Sequence, residues 1–162
     1  MSQLRNWFLC ITCYFFLFGL ALWAQTVQVI DAAGHSTTVT AAQIAGAPHV
    51  TVEVRDHDTP AQFQGVALST VLSTAGIQLN DKLRGSRMTD VRLVEATDGY
   101  KAVFALAEVD PAFATREIIL ADKRAGKALD VKEGPLRIVA PGDKRAARWV
   151  RQVTTLRIVA VK

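Results

Sequence analysis

Cysteine is almost absent from this 162-residue sequence. Its two cysteines, Cys10 and Cys13, lie close to the N-terminus, so residues 25–162 contain no thiol. This absence excludes a thiol nucleophile, a thiolate metal site, a thioether-linked haem and a disulfide from that part of the chain. A domain made of these residues must be stabilised by burial of apolar surface, and it is long enough to form one core.

The sequence also lacks the short motifs of several enzyme classes. It has no G-x-G-x-x-G or other phosphate-binding loop, and no serine lies in a G-x-S-x-G elbow. The three histidines, His35, His49 and His57, have neither the spacing nor the neighbouring carboxylates of a metal site. Nucleotide enzymes, serine hydrolases and histidine metal centres are therefore not supported.

Charge is low, with a formal net charge of +4. The basic residues concentrate late in the chain, at Lys144, Arg145, Arg148 and Arg151, with few aromatic residues between them. This is not the pattern of a nucleic-acid surface. Two interpretations of the basic residues stay open, a solvated face and a contact for an anion.

The N-terminus carries the one long apolar run of the sequence. Arg5 precedes 17 residues without charge, Trp7–Trp23, and Ala24 follows them. This pattern predicts a cleavable secretory signal over residues 1–24 and a single mature domain, residues 25–162, in the periplasm. An uncleaved membrane anchor is the alternative, although the run falls short of the roughly 18 apolar residues expected of a spanning helix.

Short alternating runs with turn residues between them predict a sheet-rich domain of the α+β class. We expect mixed sheets with a few short helices, and a hairpin that turns at Asp98-Gly99. The predicted strands are Thr26–Ile30, Ser36–Thr40, Val50–Arg55, Val91–Ala96, Lys101–Leu106, Glu117–Ala121, Leu136–Ala140 and Gln152–Val161. The predicted helices are Ala41–Ile44, Leu68–Ala75, which Gly76 ends, and a weaker one over Ala107–Ala114.

Four segments together resemble a known family. Residues 65–76 (GVALSTVLSTAG) are similar to a G-V-x-L-x-x-L-L-x-x-A-G motif, and Asp98-Gly99-Tyr100 is similar to a D-G-Y turn. Residues 134–142 (GPLRIVAPG), followed by Trp149-Val150, are similar to a G-x-P-L-R-L-V-x-P-G…W-V-K segment. In this order and spacing they resemble the molybdopterin-dependent oxidoreductase domain, which has the sulfite-oxidase-type fold. The interpretation places Gly65 and Gly99 where strands turn.

The resemblance also implies a difference from the enzymes. They hold molybdenum through the cofactor's dithiolene and one protein cysteine, on the strand that precedes the G-V-x-L helix. Here that strand is Val50–Arg55, and the ligand position falls at or near Val54, which cannot coordinate a metal. We therefore expect no firmly bound cofactor and lean away from redox catalysis. The alternative is a molybdopterin-dependent oxidoreductase whose molybdenum is held without cysteine.

Cysteine-less members of the family resemble periplasmic pterin-binding sensors that act beside a membrane-bound signalling protein, with no nucleic-acid partner. A pterin needs an aromatic face, an acidic edge and donors for its tail. Phe63 is one candidate face. Two alternatives remain: Trp149 as a core residue, and a domain that only docks onto a partner. The predicted ligand-binding residues are Arg55, Asp56, His57, Asp98, Tyr100, Lys144, Arg145, Arg148 and Trp149.

Overall fold

The computed structural model describes residues 26–161, apart from the side chain of Asp81. The predicted secretory signal, residues 1–24, lies outside this range and stays a prediction. Within the described range, no helix has the length and apolar character needed to cross a membrane.

Two five-stranded sheets form the described part of the chain. The first has the order β2-β1-β10-β5-β6, and the second has the order β3-β4-β7-β8 with β9 paired to β7. The predicted α+β class, with mixed sheets and few short helices, is confirmed. The strands are β1 (Val27–Ile30), β2 (Ser36–Val39), β3 (His49–Asp56), β4 (Thr59–Ala67), β5 (Val91–Ala96), β6 (Lys101–Ala105), β7 (Ile119–Arg124), β8 (Lys127–Ala128), β9 (Arg137–Val139) and β10 (Val153–Val159). The α-helices are α1 (Ala41–Gly46), α2 (Leu68–Thr74) and α3 (Leu106–Val109), and short 3-10 helices cover Asn80–Lys82, Gly85–Thr89 and Ala146–Arg148.

Strand β10, near the C-terminus, lies at the centre of the first sheet. It pairs in parallel with β1 and antiparallel with β5, which makes this sheet mixed. Leu156 and Ile158 alternate with more exposed residues and are buried. The predicted C-terminal strand is therefore confirmed, as an interior strand.

One continuous apolar core contains side chains from both sheets and from α2. Leu68, Val71 and Leu72 share one face of α2, and all three are buried. Burial of a side chain of this size contributes roughly 1.5–3 kcal/mol. The helix ends before Gly76, whose φ of +85° is a conformation that glycine adopts without strain.

Gly65 corrects one prediction, because it lies inside β4 and not at a turn. A Cβ atom at this position would come within 2.2 Å of the carbonyl oxygen of Leu120. The pairing of β4 with β7 shifts at the same point and leaves Asp122 as the extra residue of a bulge. Strand β4 was not predicted, because Pro60 and Gly65 are uncommon inside strands, although Gln62 and Gln64 alternate with Ala61 and Phe63.

Two predicted boundaries also change around Pro111. The helix expected over Ala107–Ala114 is only the single turn α3, because Asp110 takes extended dihedral angles before the proline. The strand expected over Glu117–Ala121 begins two residues later, as β7.

Candidate functional site

Asp56, at the end of β3, lies in a cluster of four charged residues, of which three are buried and Arg124 is 37% exposed. The cluster, named here the ion cluster, consists of Asp56, Arg124, Glu133 and Arg137. Arg137 Nη1 lies 2.6 Å from Glu133 Oε1 and 3.2 Å from Asp56 Oδ2. Arg124 Nη1 lies 2.8 Å from Glu133 Oε1 and 3.4 Å from Asp56 Oδ2. Two positive and two negative groups therefore neutralise one another inside the fold.

Two aromatic rings cover the ion cluster. The guanidinium of Arg137 lies 4.9 Å from the ring centroid of Phe63 and 5.6 Å from that of Trp149. The two rings meet edge to face at 6.3 Å, and Trp149 Nε1 donates a hydrogen bond to the carbonyl oxygen of Ala140. Trp149 is only 4% exposed. The predicted residues Asp56 and Trp149 thus lie in one place, but the protein's own side chains fill it.

Arg55, near the end of β3, and His57, in the turn from β3 to β4, belong to one hairpin. His57 and Asp58 both have positive φ, the conformation of a tight two-residue hairpin turn. Arg55 Nη1 donates to the carbonyl oxygen of Asp58, and His57 Nε2 lies 3.7 Å from Asp56 Oδ1. Both side chains are exposed, so the predicted polar cluster divides into a solvent-facing turn and a buried aspartate.

Asp98 and Tyr100 form the turn between β5 and β6. Asp98 Oδ1 accepts a hydrogen bond from the backbone N–H of Tyr100, as an aspartate in a tight turn does. The hydroxyl of Tyr100 donates to the carbonyl oxygen of Ala147 at 2.6 Å. Tyr100 therefore joins this turn to the segment that carries Arg148.

Arg148 is engaged by acidic groups on two sides. Its guanidinium lies 2.6 Å from Asp143 Oδ1 and 3.2 Å from Glu108 Oε2, and it stacks 4.5 Å from the ring centroid of Phe104. The hydrogen bond to Asp143 is the main reason that the pKa of Arg148 is raised. The neighbouring Lys144 and Arg145 are exposed. The ion pairs and the stacking on Phe104 therefore hold the Arg148 side chain in place.

A cavity of about 340 Å³ lies beside Arg148, and sequence reasoning missed most of its wall. Phe113 lines it with a ring that is 51% exposed. Glu108, Arg116 and Asp143 also line this Phe113 cavity. The signal available in the sequence was an aromatic residue in a short segment between Pro111 and Arg116. A second cavity, of about 510 Å³, shares Ala114, Thr115 and Arg116 and reaches Val52 and Glu53 on β3.

The donor set around Val54 does not fit a thiolate-held molybdenum. Val54 is half-buried on β3 and packs against the core. Residues 26–161 contain no cysteine, and in that range no three His, Asp or Glu side chains are grouped so as to hold a metal. A hydrocarbon side chain has no electron pair for a metal. Any molybdenum held by residues 26–161 must therefore be held without a protein thiolate.

Comparison with known proteins agrees with this architecture. The mixed first sheet and the antiparallel second sheet, with their few short helices, form a domain of the sulfite-oxidase type. The chain belongs to the oxidoreductase molybdopterin binding domain family, whose model matches residues 25–162. The resemblance inferred from the four sequence segments is confirmed.

Among solved structures, the chain is similar to the sulfane dehydrogenase SoxCD from Paracoccus pantotrophus. The TM-score is 0.65 at 17% sequence identity, and the match covers 84% of this chain and 38% of that chain. At this identity the likeness shows the fold alone. Comparison with curated proteins finds no match.

Proposed function

We propose that this protein binds a reduced pterin, or a similar small planar heteroaromatic molecule, in the Phe113 cavity. The observation that carries the proposal is that an exposed aromatic ring, a carboxylate and a guanidinium line one cavity of about 340 Å³. That volume lies within the range of roughly 300–1,000 Å³ of small-molecule sites. Binding here requires no protein thiolate and no redox step.

Each of these groups matches a part of a pterin. The exposed ring of Phe113 offers a face for stacking. The carboxylate of Glu108 can accept hydrogen bonds from the amino-pyrimidinone edge, and Arg116 can donate to a polar tail. Arg148 and the backbone N–H of Ala105 both bond to Glu108, which fixes the carboxylate before a ligand arrives.

The site predicted from the sequence changes its centre under this proposal. Arg148 stays as the residue that orients Glu108, and Tyr100 holds the segment of Arg148 through Ala147. The ring of Trp149 is packed against Phe63 and Arg137, so Phe113 is the better candidate for stacking. Lys144 and Arg145 are exposed on the same loop as Asp143 and can attract an anionic tail.

We further propose that the protein works in the periplasm and presents its ligand-loaded surface to a membrane-bound signalling protein. The apolar run Trp7–Trp23 supports export. The Phe113 cavity is exposed, so a bound ligand would alter a surface that a partner can contact. Fractionation of host cells tests this placement, and recovery of the protein from the cytoplasm would contradict it.

Isothermal titration of the purified protein with a tetrahydropterin, without oxygen, tests ligand binding. We expect saturable binding that Phe113→Ala weakens about tenfold, because loss of one stacking face costs roughly 1–3 kcal/mol. Met88→Ala alters an exposed apolar side chain that does not line the cavity and is the control, with binding unchanged. Absence of heat with the unaltered protein, or equal binding by Phe113→Ala, would contradict the proposal.

Family membership favours one other candidate, a molybdopterin-dependent oxidoreductase in which molybdenum is held without cysteine. Metal analysis of protein isolated from its native host separates the two. Stoichiometric molybdenum would replace the pterin-binding proposal with this one, whereas metal-free protein that binds a tetrahydropterin would support the pterin-binding proposal.

A further inference from the structure

Strand β3 forms an edge of the second sheet, and β4 is the one strand with which it pairs among the described residues. It has eight residues, His49–Asp56, whereas the edge strands β2, β6 and β8 have four, five and two. Its sequence, HVTVEVRD, contains neither proline nor glycine. An edge strand of this length, without proline, is a surface to which another strand can add.

Three residues of β3 direct their backbone N–H and C=O groups to the open edge. The carbonyl oxygen of Gln62, on β4, accepts a hydrogen bond from the backbone N–H of Ala125 at 2.9 Å and therefore points away from β3. Glu53 lies directly opposite Gln62, so the two form a non-hydrogen-bonded pair, and the backbone groups of Glu53 point outward. Because this orientation alternates along an antiparallel pair, Thr51 and Arg55 share it. Each of the three residues therefore offers a donor and an acceptor to a further strand.

No other described residue bonds to these outward-facing backbone groups. Apart from the ladder with β4, β3 makes no backbone hydrogen bond within residues 26–161, and no side chain in that range bonds to its backbone. The edge of β6 differs, because Arg148 Nη1 donates to the carbonyl oxygen of Val103 at 3.3 Å. The edge of β3 also borders open space, since Val52 and Glu53 both line the cavity of about 510 Å³. The backbone of β3 is therefore accessible to a partner strand.

The exposed side chains of β3 carry one charge of each sign in neighbouring outward positions. Glu53 and Arg55 are two residues apart and lie on the exposed face, whereas Val54 between them packs against the core. Glu53 makes no hydrogen bond or ion pair with another described residue. Within the same range, Arg55 bonds only to the carbonyl oxygen of Asp58. Both charges are therefore available to a strand that adds at this edge.

We propose that β3 is a dimerisation edge, where the β3 strands of two copies of this chain pair antiparallel with Val54 opposite the partner's Val54. In this register Glu53 lies opposite the partner's Arg55, and Arg55 lies opposite the partner's Glu53. Opposite charges at directly opposed positions stabilise an antiparallel pair. Because both residues direct their backbone groups outward, each pair also exchanges two N–H···O=C hydrogen bonds. The second sheets of the two copies then form one continuous sheet.

Two neighbouring registers also bring outward-facing residues together, but neither pairs opposite charges. With Glu53 at the centre, the two Glu53 carboxylates would lie opposite each other, which is unfavourable. With Val52 at the centre, Glu53 would lie opposite the partner's Thr51, which carries no charge. The charge pattern of the strand therefore selects the register of the proposal.

Sedimentation equilibrium of the purified protein over a range of concentrations tests this edge. We expect a monomer–dimer equilibrium whose dissociation constant rises about tenfold in Glu53→Arg and in Arg55→Glu, because like charges then lie opposite each other. An equimolar mixture of the two variants pairs opposite charges again, so mixed dimers should form as strongly as dimers of the unaltered protein. Lys127→Glu is the matched control, since Lys127 is exposed on β8, at the far edge of the same sheet. This charge reversal should leave dimerisation unchanged.

Hydrogen exchange of the unaltered protein tests the same edge without variants. In the dimer, the backbone N–H groups of Glu53 and Arg55 should exchange slowly, and dilution to the monomer should return them to fast exchange. Fast exchange of these groups in the dimer would overturn the proposal. Protein that stays monomeric at every concentration, a dimer that neither charge reversal weakens, or a mixture of variants that fails to dimerise would also overturn it. Neither residue lines the Phe113 cavity, so this proposal and the pterin-binding proposal can fail independently.

Discussion

Among the described residues, two arginines are almost completely buried, and their surroundings differ. Arg137 is 1% exposed and lies against Glu133, Asp56 and two aromatic rings. Arg92 is 0% exposed and has none of these partners among the described residues. Both occupy inward-facing positions of β-strands, where an apolar residue is expected.

The charge of Arg137 is compensated by its neighbours, whereas the charge of Arg92 has no hydrogen-bond partner among the described residues. Around Arg137 the cost of removing charge from water is offset by Coulomb attraction, hydrogen bonds and cation–π contacts. Around Arg92 no such compensation exists within the described chain, so removal of the charge should benefit the fold. Stability measurements on the two arginines should therefore differ in sign.

The largest expected effect is that of Arg137→Met. It leaves Asp56 and Glu133 buried without their main cation, which should lower the free energy of unfolding by about 3–5 kcal/mol. Urea denaturation followed by circular dichroism measures the change. Arg124→Met is the control, because Arg124 is more exposed and should cost less. A loss below about 1 kcal/mol in Arg137→Met would show that the ion cluster does not stabilise the fold.

Arg92→Met should have the opposite sign. Replacement of an unpaired buried charge by an apolar side chain of similar length should raise the free energy of unfolding, by an amount in the range of about 1–4 kcal/mol. The same urea denaturation, in buffer without phosphate or carboxylates, measures it. A clear loss of stability would mean that Arg92 has an acceptor within the fold, and the comparison with Arg137 would then fail.

The effect of pH on the free energy of unfolding, acting through Arg92, should be smaller and confined to alkaline solution. Its folded-state pKa of about 9 lies below the unfolded value, so above pH 9 the native protein releases a proton that the unfolded chain retains. Stability of the unaltered protein should then rise relative to Arg92→Met, by about 2 kcal/mol between pH 9 and 10.5. Parallel urea denaturations at both pH values measure this, and a constant difference would contradict it.

The smallest effect on stability is expected for Arg148→Met. This arginine is about one-third exposed, so solvent screens its contacts with Asp143 and Glu108, and the loss should be about 1 kcal/mol or less. Tetrahydropterin binding should weaken more clearly, because Glu108 loses the group that orients it. Arg148→Lys should restore part of the binding. Unchanged binding in Arg148→Met would remove Glu108 from the proposed site.

The parts of the fold that could be predicted from the sequence are those with local signals. The hairpin of β5 and β6 follows from two alternating runs around Asp98-Gly99, and α2 follows from its apolar face and Gly76. Strand β4 was not predicted, in part because the glycine at position 65 suggested a turn. The structure shows that Gly65 is required instead by the close approach of β7. Such an approach depends on pairing between distant parts of the chain.

The candidate site shows the same division. The sequence predicted Asp56, Tyr100, Arg148 and Trp149 as ligand-binding residues. In the structure each of them makes a defined contact with another part of the chain. It could not indicate that Trp149 is buried and Phe113 exposed, since neither residue's neighbours in the sequence determine how far its ring is covered. Exposure depends on which elements cover a side chain.

By itself the sequence determined the absence of a thiol in residues 25–162, the α+β class and the family of the domain, because composition, alternation and turn residues are local properties. Only the tertiary structure decided which charges are paired. Asp56 and Arg137 are far apart in the chain and meet because β3 and β9 lie in one sheet, whereas the guanidinium of Arg92 has no hydrogen-bond partner among the described residues. The free energy of a buried charge depends on neighbours that distant segments bring to it.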